Sequence, residues 1–193
     1  MVGNIFLERL SDILSVAKND AQLFRLIVNA PFHDMVKATE LDLGIVVFLQ
    51  VNKKTGTIDR IALSDTEAAA GAVRMSEKPF HEIKIPIGHP ENAIARAITT
   101  GAPQFVSDWK YLFVPALDAR AARFNQAGAG IEFSTVIPLK SRDGGALIFS
   151  YFQINTNIRQ PHHMFMQAYA EIVDRALARS WRYERANNLT SRS

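Results

Sequence analysis

Apolar positions recur along this chain with two different periods, and each period marks a kind of element. Over residues 4–17, Ile5, Phe6, Leu10, Ile13, Leu14 and Ala17 return every three or four positions while Glu8, Arg9 and Asp12 fall elsewhere, which predicts an amphipathic helix. Asn19 and Asp20 supply a cap for a second helix over 21–28, which Pro31 ends. After a short helical or irregular piece around 33–39, residues 44–51 are apolar and rich in β-branched side chains, and read as a buried strand. Turn residues from Asn52 to Gly56 lead into an extended stretch over 57–63, so the two together predict a hairpin.

Ser64 and Glu67 form a capping signal ahead of an alanine-rich helix that reaches Val73. Residues 80–86 alternate, with Phe80, Glu82 and Lys84 opposite His81, Ile83 and Ile85, and predict an edge or half-buried strand. A helix over 91–100 has Ala93, Ile94, Ala97 and Ile98 as its stripe and Gly101 just past its end. Residues 104–106 are extended, and a segment bearing Trp109, Tyr111, Phe113 and Phe124 contains a helical stretch over 116–127. Strands over 132–140 and 145–154 flank a Gly144–Gly145 turn, with Pro138 marking an edge or a strand end. Pro161 opens a long helix to about Ala186, leaving 187–193 as a disordered tail. This order implies one α+β domain over 1–186. Its central antiparallel sheet has five to six strands, with the N- and C-terminal helices packed on one face and a helix and loop roof on the other.

Composition narrows the function. With 193 residues, 48% of them hydrophobic and 21% charged, the chain is globular and long enough to bury a core. No apolar run approaches the length of a bilayer span, and the first residues lack a secretory pattern, so no membrane is expected as a partner and the cytoplasm is the expected location. The formal charge of +3 is concentrated in Arg175, Arg179, Arg182, Arg185 and Arg192. That tail suits the negative end of a helix dipole, and nucleic acid is not expected as a partner. The absence of cysteine removes disulfides, thiolate metal sites and thiol nucleophiles together. No phosphate-binding glycine loop and no nucleophile elbow occurs, and His162 and His163 point too far apart on a helix to share an ion. No catalytic residue, metal site or cofactor is assigned.

Several short pieces in series carry a likeness to a known family. They are the turn Lys54, Thr55 and Gly56; Ile85, Pro86, Ile87 and Gly88 leading into a helix that ends in Thr100, Gly101, Ala102 and Pro103; Phe105, Val106, Ser107 and Asp108; and Phe133 and Ser134 ahead of Pro138 and Leu139. Over about residues 20–179 the chain resembles a GAF domain, of the GAF/PAS-like sensory group. The resemblance implies a non-catalytic sensory or regulatory domain whose pocket lies between the sheet and the segment from the Gly88 helix to the strand at Phe133. A small molecule would bind there, and the terminal helices would signal and join a homodimer; a ligand-free dimerisation or scaffold module is the alternative. The candidate ligand-binding residues are His89, at the mouth of a helix, Arg96 on that helix, Asp108 with the flat faces of Trp109, Tyr111 and Phe113, and Phe133 with Ser134 at a strand start. The aromatic residues read equally well as core. Without cysteine, covalent bilin attachment and the thiol-dependent sulfoxide reduction found in some members fall away.

Overall fold

The computed structural model describes residues 2–35, 42–141, 144–152 and 160–190. Helices α1 (Val2–Ser15) and α2 (Asp20–Ala30) begin it. Asn19 starts α2 as predicted, its side-chain oxygen accepting the Gln22 N–H at 2.9 Å. Pro31 has no N–H to continue the ladder, and a π-helical turn, Pro31–Met35, follows. The rest of the irregular piece expected near 33–39 lies outside the described residues.

Strands β1 (Leu43–Asn52) and β2 (Thr57–Leu63) form the expected hairpin, closed by Gly56 at a φ of 68°. They join β3 (Ile85–Pro86), β4 (Gln104–Val106), β5 (Phe133–Leu139) and β6 (Gly145–Tyr151) in one antiparallel sheet of order β3-β2-β1-β6-β5-β4. The central pair, β1 and β6, runs from Leu43↔Tyr151 to Gln50↔Gly145, with one shift of register between Leu43 and Ile45. Because successive strand side chains point to opposite faces, this pair serves two cores. Val46, Phe48, Leu147 and Phe149 face α1, α2 and the final helix α7 (Gln160–Thr190). Ile45, Val47, Leu49 and Ile148 face the roof, made of α3 (Glu67–Arg74), α4 (Ala93–Thr100), α5 (Lys110–Phe113) and α6 (Ala119–Ala129). The fold is therefore α+β, with the terminal helices on one face and a helical roof on the other. Among the described residues no helix is long and apolar enough to cross a membrane.

Several local expectations change. Residues 80–86 are not one strand: Phe80–Glu82 is a 3-10 turn, and β3 alone pairs, with Thr57 and Ile58. Ile83 and Ile85 are nevertheless buried, which produced the alternation in the sequence. The cap of α3 is Thr66, whose hydroxyl accepts the Ala69 N–H at 3.2 Å, whereas Ser64 accepts the Val46 N–H at 3.1 Å and so serves the sheet. The loop helix starts at Ala119, after Asp118 caps it. Pro138 lies beyond the last β4–β5 pair, Gln104↔Val136, where β5 is locally an edge and no donor is missed. β6 ends at Tyr151 rather than 154, and α7 continues past 186 to Thr190. Residues 191–193 and the side chains from 181 onward, including the arginines of the basic tail, lie outside the described set.

Candidate ligand pocket

Among the described residues, strand β2 carries the one charged residue buried in the roof core. Phe48 pairs with Ala62 but Leu49 pairs with Arg60, so Ile61 is the extra residue of a β-bulge. In an unbroken strand, positions 60 and 63 would face opposite ways; the bulge sends both Arg60 and Leu63 toward the roof. Arg60 is only 6% exposed. Its guanidinium carbon lies 4.3 Å from the centroid of the Phe113 ring and 5.9 Å from that of Phe80. Nη2 donates to the Leu112 carbonyl at a long 3.4 Å, and the buried Nε has no partner. No carboxylate pairs with it among the described residues. Burial alone pushes its pKa down to about 10, so the group stays protonated at neutral pH.

Beside Arg60 is a cavity of about 40 Å³ between sheet and roof, with Ile45, Val47 and Ile148 on the sheet side and Trp109 and Phe113 on the roof side. Ser76, Asn125 and Ser150 are its other polar lining groups. At the sheet, the Trp109 indole Nε1 donates to Ser134 Oγ at 3.0 Å, and Ser134 Oγ lies 2.7 Å from Ser150 Oγ. Either hydroxyl can be the donor in that pair, because a serine oxygen that already accepts the indole proton keeps a second acceptor lone pair. Ser150 thus brings to the cavity a hydroxyl that can give or take a proton.

The roof is stapled by two amides that sequence reasoning passed over. Gln126 accepts the Trp109 N–H at 2.9 Å and donates to Ser107 O at 3.0 Å and Ile131 O at 3.2 Å, which fixes α6 to the start of α5 and to β5. Asn92 caps α4 through the Ile94 N–H at 2.9 Å and donates to Val114 O at 2.8 Å, tying α4 to the end of α5. Gly71 of α3 and Gly128 of α6 meet with no room between them, since a Cβ on Gly71 would run into the Gly128 carbonyl oxygen.

Of the residues singled out from sequence, Trp109 and Phe113 line the cavity and Ser134 lies one hydrogen bond behind it. The other five lie elsewhere. The single turn of α5 turns Trp109, Leu112 and Phe113 inward, leaving Tyr111 41% exposed beside Lys110, whose Nζ is 4.5 Å from its ring centroid. Asp108 points outward to Arg123, with Nη2 2.8 Å away. Burial raises its carboxyl pKa, but bonds from Arg123 and from the Lys110 N–H outweigh that and hold it below the ordinary 3.8. Arg96 is exposed and donates to Gln104 Oε1 at 3.0 Å. Phe133, one residue out of step with Ser134, takes the opposite face of β5 and stacks on Phe105 at 5.3 Å. His89 sits in the turn after β3, its N–H donating to Pro86 O at 3.1 Å. Among the described residues no three His, Asp or Glu side chains are grouped to hold a metal ion.

Arg60 escaped the sequence reading, although a signal for it exists. It shares strand parity with the buried Ile58, and an arginine on the apolar side of a strand is exceptional.

No family model and no curated protein matches this chain. Solved structures do. The GAF domain from a phosphoenolpyruvate-protein phosphotransferase of Coxiella burnetii is 16% identical and superposes with a TM-score of 0.64, over 96% of this chain and 98% of that one. The chain has a GAF-like fold. The free methionine-R-sulfoxide reductase of Neisseria meningitidis, solved in complex with its substrate, shares this GAF-like fold at 12% identity and a TM-score of 0.61, over 94% of this chain and 91% of that one. Residues 122 to 287 of a methyl-accepting chemotaxis protein do so at 13% identity and a TM-score of 0.58, over 91% and 98%. GAF-like folds thus serve both regulatory proteins and an enzyme, and the likeness carries architecture, not ligand.

Proposed function

We propose that this chain is a non-catalytic regulatory domain that takes a small molecule in the cavity between sheet and roof and signals through α1, α2 and α7. The observation that carries the reading is the cavity itself: apolar walls with a few convergent polar groups, among them a buried arginine with no ionic partner. Its position supports the signalling part. Ile148 lines the cavity, while its neighbour Phe149 meets Tyr169 of α7 edge-on at 5.6 Å. Ile45 and Val47 line it, while Phe48 packs against Phe24 of α2 at 5.1 Å. A displacement at the cavity therefore reaches the terminal helices across the thickness of one sheet. GAF-like neighbours from a phosphotransferase and a chemotaxis protein fit a regulatory role, and a chain without cysteine cannot perform thiol-dependent reduction. A cytoplasmic location belongs to the same proposal.

The test is a metabolite screen by thermal melting, followed by hydrogen exchange on the protein with its best hit. A ligand at 100 times its Kd stabilises the folded state by about 2.7 kcal/mol. Slowed exchange in α1 and α7 is expected alongside protection of the roof. A screen in which nothing raises the melting temperature sinks the proposal.

The second reading is a homodimer through the terminal helices. It is favoured by Ile5 and Met164, each 61% exposed, on α1 and α7. Light scattering at micromolar concentration decides it, and a monomeric mass removes it.

A further inference from the structure

We propose that the cavity beside Arg60 is a site for a small aliphatic monocarboxylate, its carboxylate held by the Arg60 guanidinium and the Ser150 hydroxyl and its alkyl part lying against Ile45, Val47 and Ile148. This inference rests on the reading of the cavity as a ligand site and names the ligand's chemistry.

The charged group among the cavity's polar lining is Arg60, and it can only donate. A guanidinium has no acceptor capacity, and Arg60 leaves Nε buried without a partner. The Ser150 hydroxyl, which lines the same cavity, can turn its proton to a ligand, since either oxygen of the Ser134–Ser150 pair can be the donor. An acceptor is called for where the ligand faces Arg60, and an ionised carboxylate is such a group. A neutral amide or alcohol can accept from Arg60 but leaves its buried charge without a counter-ion.

Charge and size narrow it further. One buried cation among apolar walls neutralises one negative charge, and a dianion such as sulfate or hydrogen phosphate would leave a second charge buried and unpaired. A void of about 40 Å³ exceeds the ~10–15 Å³ that one water requires and matches an acid of only a few carbon atoms. Val73, which lines the cavity and is 45% exposed, marks its mouth at the end of α3. The ion pair would be well shielded from salt, unlike the surface pair Arg123–Asp108.

Propionate is the probe, with propionamide as its neutral counterpart and chloride and sulfate at matched ionic strength as controls. Calorimetry and thermal melting on the wild-type protein are expected to show saturable binding of propionate and none of propionamide. The Arg60 Nε–H resonance should move as propionate is added, a measurement that needs no variant. Arg60→Met, with its fold verified by circular dichroism, should weaken propionate binding by about 30-fold or more, the loss that accompanies removal of one partner of a buried charge pair. Ser150→Ala should weaken it less. A wild-type protein that ignores propionate while its Arg60 signal stays fixed overturns the proposal, as does an equal response to sulfate. If a neutral compound binds in the cavity and propionate does not, the carboxylate assignment fails while the cavity remains a ligand site. If propionate, propionamide and a wider screen all leave the protein unmoved, both fail together.

Discussion

The guanidinium of Arg60 rests 4.3 Å above the ring of Phe113 in the interior of the roof core, with no anion paired to it among the described residues. The ring's negative face offsets part of the cost of burying the charge, by about 2 kcal/mol when the pair is desolvated. The remainder stands against folding.

Arg60→Met is therefore expected to raise the stability of the ligand-free protein, by about 1–4 kcal/mol, the gain seen when apolar residues of similar volume replace buried ions. Urea unfolding measures it. The pH dependence has a definite sign. Burial lowers the Arg60 pKa to about 10 in the folded chain, below its ordinary value, so above pH 10 the unfolded state binds more protons and stability rises with pH. The gap between Arg60→Met and wild type should be full below pH 10 and narrow above it. A variant less stable than wild type by more than about 1 kcal/mol would show that the charge is already satisfied in the fold.

The indole of Trp109 depends on Ser134 for its hydrogen bond, and Ser134 is completely buried. Ser134→Ala strands the indole N–H and should cost about 1–3 kcal/mol. Trp109→Phe removes the donor and leaves a small void of its own. In the double variant the stranded donor no longer exists, so the combined loss should fall short of the sum of the single ones. Additive losses in urea unfolding would show that the Trp109–Ser134 bond does not couple these residues.

The architecture was legible because it rests on periodicity. β1 and β6 are apolar on both faces, α1 and α7 carry stripes, and Asn19 and Gly101 punctuate helices where the pattern changes. The site was legible only in part, since its residues are selected by phase and not by type. Trp109 and Tyr111 look alike in sequence, yet on a single helical turn one faces the cavity and the other solvent. Phe133 and Ser134 differ by one strand position and take opposite faces. Arg60 shares the roof face with Ile58 by strand parity, but the bulge at Ile61 that turns Leu63 to the same face is announced by no local pattern. Asp108 and Arg123 are fifteen residues apart, and only the folded loop reveals that they satisfy each other.

The contact of Gly71 with Gly128 makes a prediction whose sign is informative. In an exposed helix, Gly→Ala stabilises by about 0.5–1 kcal/mol through backbone entropy. Here the new methyl would strike the Gly128 carbonyl oxygen, which is backbone and cannot swing aside. Gly71→Ala should therefore destabilise, by about 1–3 kcal/mol, as α3 is pushed from α6. It should also widen the mouth of the cavity, which Val73 and Ser76 border. A stabilised Gly71→Ala in thermal melting would mean that the two helices are not held at this contact.

On the opposite face, the Tyr169 hydroxyl donates to the Ile27 carbonyl at 2.6 Å. That carbonyl lies four residues before Pro31, the position whose N–H would close the helical ladder, and proline has none to give. α7 thus supplies the donor that the sequence of α2 withholds. Tyr169→Phe keeps the edge contact with Phe149 and the stacking on Phe6, so the substitution isolates the hydroxyl. It should cost about 1–3 kcal/mol, the penalty for a buried acceptor left unmade. Because the bond joins the two ends of the chain, amide exchange should accelerate in the last turn of α2 more than in α3 or α6. Uniform acceleration over the whole chain, or none, would place the α2–α7 connection in the apolar contacts alone.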